Sequence, residues 1–358
     1  LRSILRYIRD GRNYILVLVM LAAVSAWVLD YMVSPVGGSG RPAMVVIPKG
    51  VTAAAVGRIL AEKGIVRSAL GFSLLAQAAG DARELKPGAY LLKPTMGVEE
   101  IIEKMVRGEI AAVWVTVPEG FSVRQIAERL GESNLVNPEE FMALAASDAQ
   151  GFSEILGIPS HSLEGYLFPS TYLVPLKTTA REVAAEMVKT FRAKVAEPYG
   201  EDIGRIAAAG GAESRAAALY RVVTAASMIE REAKVPQDRP LISAVIWNRL
   251  RRGMRLQIDA TVEYALGRHR SRLYDRDLAV DSPYNTYLHG GLPPGPISNP
   301  GLPSIRAALF PAKAGYLYYV ARADGSHVFS NTLEEHNAAK ARIREQAAES
   351  GGQEGAVP

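Results

Sequence analysis

Residues 227–233 read Ser-Met-Ile-Glu-Arg-Glu-Ala, two glutamates two positions apart near the end of a long helical pattern. A carboxyl group works as a general acid only where its surroundings hold the proton near neutral pH. The two side chains lie about 200° apart around a helix, so they do not face one place. Glu230 has Lys234 four residues on, the order that favours an exposed ion pair. It also lies near the apolar stripe of Val222, Ala226 and Ile229, which argues for an inward position. Glu232 has Met228 and Pro236 at the equivalent spacings and so no ion-pair partner there. It falls in the last turn, where unpaired carbonyls place partial negative charge. That location raises a carboxyl pKa, as burial does, and gives Glu232 a slight preference as the acid.

Other chemistries find little support. The chain has no cysteine, which excludes disulfides, thiolate metal sites and a cysteine nucleophile. Its five histidines, His327 and His336 among them, form no His-Glu-x-x-His pattern. A zinc site needs three or four ordered ligands, so no metal and no other cofactor is expected. Neither a Gly-x-x-x-x-Gly-Lys phosphate loop nor a Gly-x-Ser-x-Gly elbow occurs. Net charge is +4, and most of it comes from four arginines within residues 1–12. The remainder is nearly neutral, so the basic balance does not point to nucleic acid.

The elements that must position these residues begin with an anchor. Residues 14–33, YILVLVMLAAVSAWVLDYMV, carry one charge, Asp30. A helix of that length reaches across the roughly 30 Å hydrocarbon core of a bilayer. Arg2, Arg6, Arg9 and Arg12 precede it, which puts the N-terminus in the cytoplasm and the rest outside. Val24-Ser25-Ala26 would suit signal-peptide cleavage, but the apolar run continues past it and favours a retained span. Residues 34–43, SPVGGSGRPA, read as a flexible linker.

An internal repeat follows. VVIPKGVTAAAVGRIL at 45–60 matches VTVPEGFSVRQIAERL at 115–130. Each reads as a short strand, a Pro-x-Gly turn, a Thr or Ser cap (Thr52, Ser122) and an amphipathic helix. This unit resembles LysM-like modules, which bind N-acetylated glycans. Residues 131–160 read as short helices and loops. Thr179 and Glu182 form a capping box ahead of Val183, Met187, Phe191 and Val195. A helix is expected from about 216 to 235, stopped by Pro236, and another from about 240 to 252, closed by Gly253. Residues 282–302 form a loop crowded with Pro, Gly, Asn and Tyr. Strand patterns at 316–321 and 327–329 precede a last helix capped by Thr332 and Glu335.

Five segments occur in order: LEGYLFPSTY (163–172), ASMIEREA (226–233), NRLRRGMRLQIDATVEYALG (248–267), SPYNTYLHGGLPPGPISNPG (282–301) and HVFSNTLEEHN (327–337). Together they resemble the endolytic murein transglycosylase family, single-pass inner-membrane enzymes, over about residues 44–345. The resemblance implies cleavage of the MurNAc-β-1,4-GlcNAc bond inside peptidoglycan strands without water. The 6-hydroxyl of the muramic acid attacks its own C1 and leaves a 1,6-anhydro end. One carboxyl group serves twice there, unlike the paired carboxylates of most glycosidases. In the family the second Glu of the E-x-E stretch is the catalytic one, which here is Glu232. A Thr or Ser usually follows it, and Ala233 lacks that hydroxyl.

The same resemblance assigns the substrate cleft. Gln257 and Asp259 suit the hydroxyls and N-acetyl groups of a glycan, although Asp259 also suits a helix N-cap. Tyr284, Asn285, Thr286 and Tyr287 lie in the loop, where a tyrosine offers a flat face to a sugar ring or packs within the loop itself. Glu164, Glu230 and His327 complete the expected set. Glu164 also suits a structural ion pair, and His327 packs or hydrogen-bonds near the cleft. Asn299 reads as a turn former, and Ser170 stands where the family usually has an acid.

The expected fold class is α+β: a cytoplasmic tail (1–12), a transmembrane helix (13–33), the linker (34–43), a LysM-like subdomain (44–112), a catalytic domain (113–345) and a disordered tail (346–358). The expected partners are peptidoglycan strands, the membrane and, by resemblance, the cell-wall synthesis machinery. The rival reading is a non-catalytic glycan-binding scaffold at the membrane. A cytosolic lyase acting on a pterin or chorismate-type substrate fits poorly with an outward-facing domain.

Overall fold

A computed structural model describes residues 2–38, 40–147, 151–152, 162–209, 214–268, 270 and 273–353. The fold is α+β, and it divides into two units: Leu1–Trp114 with Leu173–Leu176, and Val115–Tyr172 with Lys177–Pro358.

The first unit starts with α1 (Arg2–Val33). Its stretch Tyr14–Val33 is long and apolar enough to cross a membrane, and none of its residues is buried. Strands β1 (Ala43–Ile47) and β2 (Gly88–Leu92) pair antiparallel, with Ala43 opposite Leu92 and Ile47 opposite Gly88. They lie in a four-stranded sheet, order β1-β2-β3-β4, with β3 (Ala112–Thr116) and β4 (Thr171–Pro175). Helices α2 (Ala53–Glu62), α3 (Ala69–Ala78) and α4 (Val98–Arg107) bury Val56, Leu60, Phe72, Ile101 and Met105 with Val45, Ile47 and Tyr90 of the sheet.

The segment expected to be a flexible linker is tied down in this unit. Arg67 donates to the carbonyls of Pro35 at 3.0 Å and Val36 at 3.2 Å. Pro35 bridges Val66, and the Gly37 amide donates to Pro94 O at 3.0 Å. Gly, Ser and Pro composition signals freedom only while no distant donor claims the backbone carbonyls.

The second unit holds α5 (Val123–Glu132), α6 (Pro138–Ser147), α7 (Ala180–Phe191), α8 (Gly200–Ala209), α9 (Arg215–Glu232), α10 (Arg239–Arg251), α11 (Asp259–Leu266), α12 (Asp275–Leu278) and α13 (Leu302–Leu309). An antiparallel hairpin, β5 (Tyr318–Ala321) and β6 (His327–Ser330), sets Tyr319 opposite Phe329. The last helix, α14, runs Leu333–Gln353. It passes the point near 346 where a disordered tail was expected; Gln346, Ala347, Ala348 and Glu349 favour helix there.

Helix α9 forms the spine of this unit. Val222 to Ile229 are all buried, so the helix is covered on every side. Its neighbours are Ile242 and Ile246 of α10 and Ile305 and Leu309 of α13. The expected capping box at Thr179 and Glu182 is present, as is one at Ser122 and Gln125. Helix α9 ends at Glu232, three residues before the expected 235, because Ala233 turns extended at φ −79° and ψ 109°. Within 131–160, α6 is among the short helices expected, while 148–150 and 153–160 lie outside the described residues.

Candidate functional site

Glu232 is the last residue of the buried spine, so its side chain leaves the core where the helix stops. Its Oε2 accepts a hydrogen bond from the Tyr319 hydroxyl at 3.1 Å. The backbone amide of Ala260, in the first turn of α11, also donates to it. A helix N-terminus favours negative charge, and both donors favour the ionised form. Burial opposes them and wins, with added repulsion from Asp259 and Glu263, and the carboxyl is pushed up to about 7. The residue as a whole remains partly exposed. A carboxyl group that holds and releases its proton near neutrality suits acid–base work.

Tyr319, which the sequence reading missed, lies on β5. Burial first, then the neighbouring Glu232, pushes its hydroxyl well above 10, so it stays protonated and remains a donor. His327 on β6 packs edge-on against its ring, with centroids 5.4 Å apart. Both the His327 amide and Nδ1 meet Asp238 Oδ2 at 2.8 Å. His327 is therefore a buried support behind Tyr319. Arg249 donates to Leu317 O and Leu256 O, both at 2.6 Å, and lies over the Tyr318 ring at 5.1 Å. It ties the start of the hairpin to the loop before α11.

That loop carries Gln257, whose φ of +53° is unusual for a residue with a side chain. Its amide donates to Thr286 O at 3.2 Å, and its side chain is exposed. Asp259 opens α11 as its first residue, and Ile258 takes the N-cap position. The Asp259 carboxylate instead accepts from the Tyr287 hydroxyl. Asp259 and Tyr287 thus lie beside Glu232, and Gln257 stands two residues ahead of Asp259. Asn285 and Thr286 are buried and serve the loop. Asn285 Nδ2 donates to Leu278 O at 2.8 Å and Val280 O at 2.9 Å. Thr286 Oγ1 accepts from the Ile258 amide at 3.0 Å. Tyr284 packs against Tyr264, centroids 4.9 Å apart.

Glu230 faces elsewhere, as the helical spacing requires. Its carboxylate accepts from the Gly301 amide at 2.9 Å and lies 3.6 Å from Arg239. Its side chain is 7% exposed, so the ion pair with Lys234 suggested by the spacing is replaced by a buried one. Glu230 holds the start of α13, next to Glu119, whose carboxyl is raised by burial and by Glu230.

Glu164 is buried without a cationic partner among its hydrogen bonds. It accepts from the Val123 amide at 3.1 Å to each oxygen, from Asn299 Nδ2 at 3.0 Å and from the Tyr264 hydroxyl at 3.3 Å. Burial overrides these donors and pushes it up to about 8. Asn299, expected only to start a turn, also donates to Phe121 O and accepts from the Leu167 amide, each at 2.9 Å. A cavity of about 510 Å³ opens between α5, α6 and α11, bordered by Glu164, Arg231, Ala260, Glu263 and Tyr264. Ala260 and Glu263 are also neighbours of the Glu232 carboxyl. Among the described residues no group of three or more His, Asp or Glu could hold a metal ion.

Comparison with known proteins gives these features a setting. A model of the YceG-like family matches residues 45–342. The chain is 35% identical over 315 residues to a Bacillus subtilis protein named endolytic murein transglycosylase, covering 82% of each. It is 31% identical over 357 residues to a protein of the same name from Streptococcus pneumoniae, covering 89% of this chain and 63% of that one. The crystal structure of a yceG-like protein from Listeria monocytogenes aligns with a TM-score of 0.59 at 35% identity, over 83% of this chain and 98% of that one.

Proposed function

Because the chain belongs to the YceG-like family, we propose that it is a membrane-anchored lytic transglycosylase that cuts MurNAc-β-1,4-GlcNAc bonds within peptidoglycan strands. The relatives named endolytic murein transglycosylase support peptidoglycan cleavage. The finer reading rests on one observation: the carboxyl of Glu232, a residue that stays partly exposed, is pushed up to about 7 by burial. In its protonated form Glu232 gives its proton to the glycosidic oxygen as the C1–O bond breaks. The muramic acid 6-hydroxyl attacks C1, and the Glu232 carboxylate takes the hydroxyl proton. No water is consumed, and a 1,6-anhydro end remains.

The neighbours of Glu232 have roles in this scheme. Tyr319 holds the carboxyl by its hydroxyl bond, and His327, itself held by Asp238, backs the Tyr319 ring. Asp259 places negative charge where C1 becomes cationic, with Tyr287 fixing its carboxylate. Gln257 and Tyr284 face the sugar chain, while Asn285 and Thr286 set the loop that carries Tyr287. Glu230 and Glu164 shape the frame on either side. The Tyr14–Val33 helix anchors the chain with its N-terminus in the cytoplasm and the residues after it outside. The first unit, LysM-like in its strand–turn–helix pattern, contributes glycan binding.

The test is product analysis by mass spectrometry, with the full chain in detergent and purified peptidoglycan as substrate. Products ending in 1,6-anhydroMurNAc are expected, and Glu232→Gln should lower their rate by about 10²–10⁴-fold, the usual worth of a positioned acid–base group. Glu230→Gln should leave most of the rate. Since Glu232 must carry its proton to begin, kcat/KM should fall as pH rises through about 7. Loss of products only with Glu230→Gln would move the acid to Glu230. Binding without any product would favour the scaffold.

A further inference from the structure

We infer that the exposed Leu70–Leu74 face of α3 docks into the boundary between headgroups and acyl chains of the membrane that α1 spans; this rests on the anchor reading above. Helix α3, ALGFSLLAQA, carries no charged side chain. Its inner side buries Gly71, Phe72, Ser73 and Ala76. Leu70 and Leu74, one turn apart on the outer side, are 60% and 43% exposed. A helix covered by its own unit on one side and still apolar on the other marks a surface meant for contact.

The position of α3 says what that contact is. It packs on the last turn of α1, where a Cβ added to Gly71 would come within 2.9 Å of Met32 Cβ and 3.0 Å of Met32 O. Glycine is what lets the two helices touch. Arg67, just ahead of α3, lies over the Tyr31 ring at 4.9 Å and donates to its hydroxyl at 3.4 Å. The same guanidinium holds the carbonyls of Pro35 and Val36. Val33 packs against the core of the first unit. The start of α3 is therefore fastened at the level of Tyr31–Val33. Trp27 and Tyr31 stack 6.1 Å apart, both exposed, as an aromatic pair of the kind that sits at the membrane–water boundary. An uncharged helix fixed within a turn of that boundary, with two leucines outward, has lipid beside it. The first unit is then a platform held at one height, not a body swinging on a tether.

The absence of cysteine makes the test clean. Single variants Leu21→Cys, Leu70→Cys, Leu74→Cys and Glu103→Cys of the full chain are spin-labelled in lipid nanodiscs. Collision with oxygen, which concentrates in lipid, is compared with collision with a water-soluble nickel chelate. Labels at 70 and 74 should favour oxygen and read depths within about 5–10 Å of the boundary. The label at 21 should read deep, and that at 103 on α4 should read aqueous. Labels at 70 and 74 as open to nickel as 103, with 21 buried in lipid, overturn the docking and leave the anchor standing. Labels shielded from both reagents put protein on that face, which also overturns it. A water-exposed label at 21 removes the span and the docking together.

Discussion

In both copies of the strand–turn–helix unit a glycine turns the chain at positive φ, +77° at Gly50 and +79° at Gly120. Two residues later a hydroxyl caps the helix: Thr52 accepts from the Ala55 amide at 3.3 Å, and Ser122 from the Gln125 amide at 3.4 Å. Each helix buries the same two positions, Val56 and Leu60 in one and Ile126 and Leu130 in the other. The copies differ in what arrives from far along the chain. At the first, Thr52 supplies the side-chain cap. At the second, Glu164 takes the Val123 amide, and Asn299 takes the Gly120 amide and the Phe121 carbonyl. One local pattern gives one local structure, and among the described residues it is the second copy that long-range polar partners, Glu164 and Asn299, hold in place.

Removing that wiring should have the largest effect. Glu164→Ala leaves the Val123 amide, the Asn299 amide and the Tyr264 hydroxyl short of an acceptor in buried space. Each such loss costs roughly 1–3 kcal/mol before relaxation, so denaturant unfolding of the second unit should report about 3–5 kcal/mol. The first unit should not change. Glu164 also sets a pH dependence whose sign follows from its shift. The folded form holds the proton up to about 8, whereas an unfolded glutamate loses it near 4.3. Between those values the folded state binds more protons, so stability falls as pH rises through that window. Glu164→Gln should flatten that slope. A cost below about 1 kcal/mol for Glu164→Ala would mean the two copies are held alike.

A smaller effect should separate the two turns. Alanine at positive φ costs roughly 1–2 kcal/mol wherever it is placed. Gly50→Ala and Gly120→Ala should therefore lose similar stability, read by amide exchange in α2 and α5. Their surroundings are not alike. A Cβ at Gly50 meets nothing within 4 Å, while one at Gly120 comes to 3.4 Å from Glu230 Cγ and 3.9 Å from Arg231 Cδ. Both of those residues flank the end of α9 that carries Glu232. Only Gly120→Ala should slow the release of anhydro products, and equal slowing by both would dissolve the distinction.

This contrast also explains what was legible in the sequence. Caps, turn glycines, the helix periodicity and the α+β class depend on residues within a few positions of one another, and apart from the cap offered to Asp259, which Ile258 takes, they are where the pattern puts them. The opposed faces of Glu230 and Glu232 follow from the same local geometry. The partners on those faces do not. Lys234 was the near candidate for Glu230, yet Arg239 and the Gly301 amide hold it. Tyr319 reaches Glu232 from 87 residues away, inside a strand whose sequence reads only as β-prone. Arg67 fastens a segment that composition marks as loose. Periodicity tells which way a side chain points and is silent on what meets it there.

The smallest expected effect runs against intuition. Loss of a helix cap costs about 1 kcal/mol in an ordinary setting, and Thr52→Ala should cost α2 about that much. Ser122 lies in the unit that carries the acid, which suggests at first sight that its loss is the graver. It removes one of three side-chain acceptors that hold the first turn of α5, the one that takes the Gln125 amide. Gln125 Oε1 still accepts from the residue 122 amide, at 2.9 Å in the native chain, and Glu164 still holds the Val123 amide. Ser122→Ala should therefore cost clearly less than Thr52→Ala, measured as amide protection of α5 and α2. Combined with Glu164→Ala, the Ser122 substitution should regain its full cost, since no distant acceptor then fixes the first turn of α5. If Ser122→Ala alone proves as costly as Thr52→Ala, the distant carboxylate does not share the load of the cap, and the second copy is held by its local hydrogen bonds just as the first is.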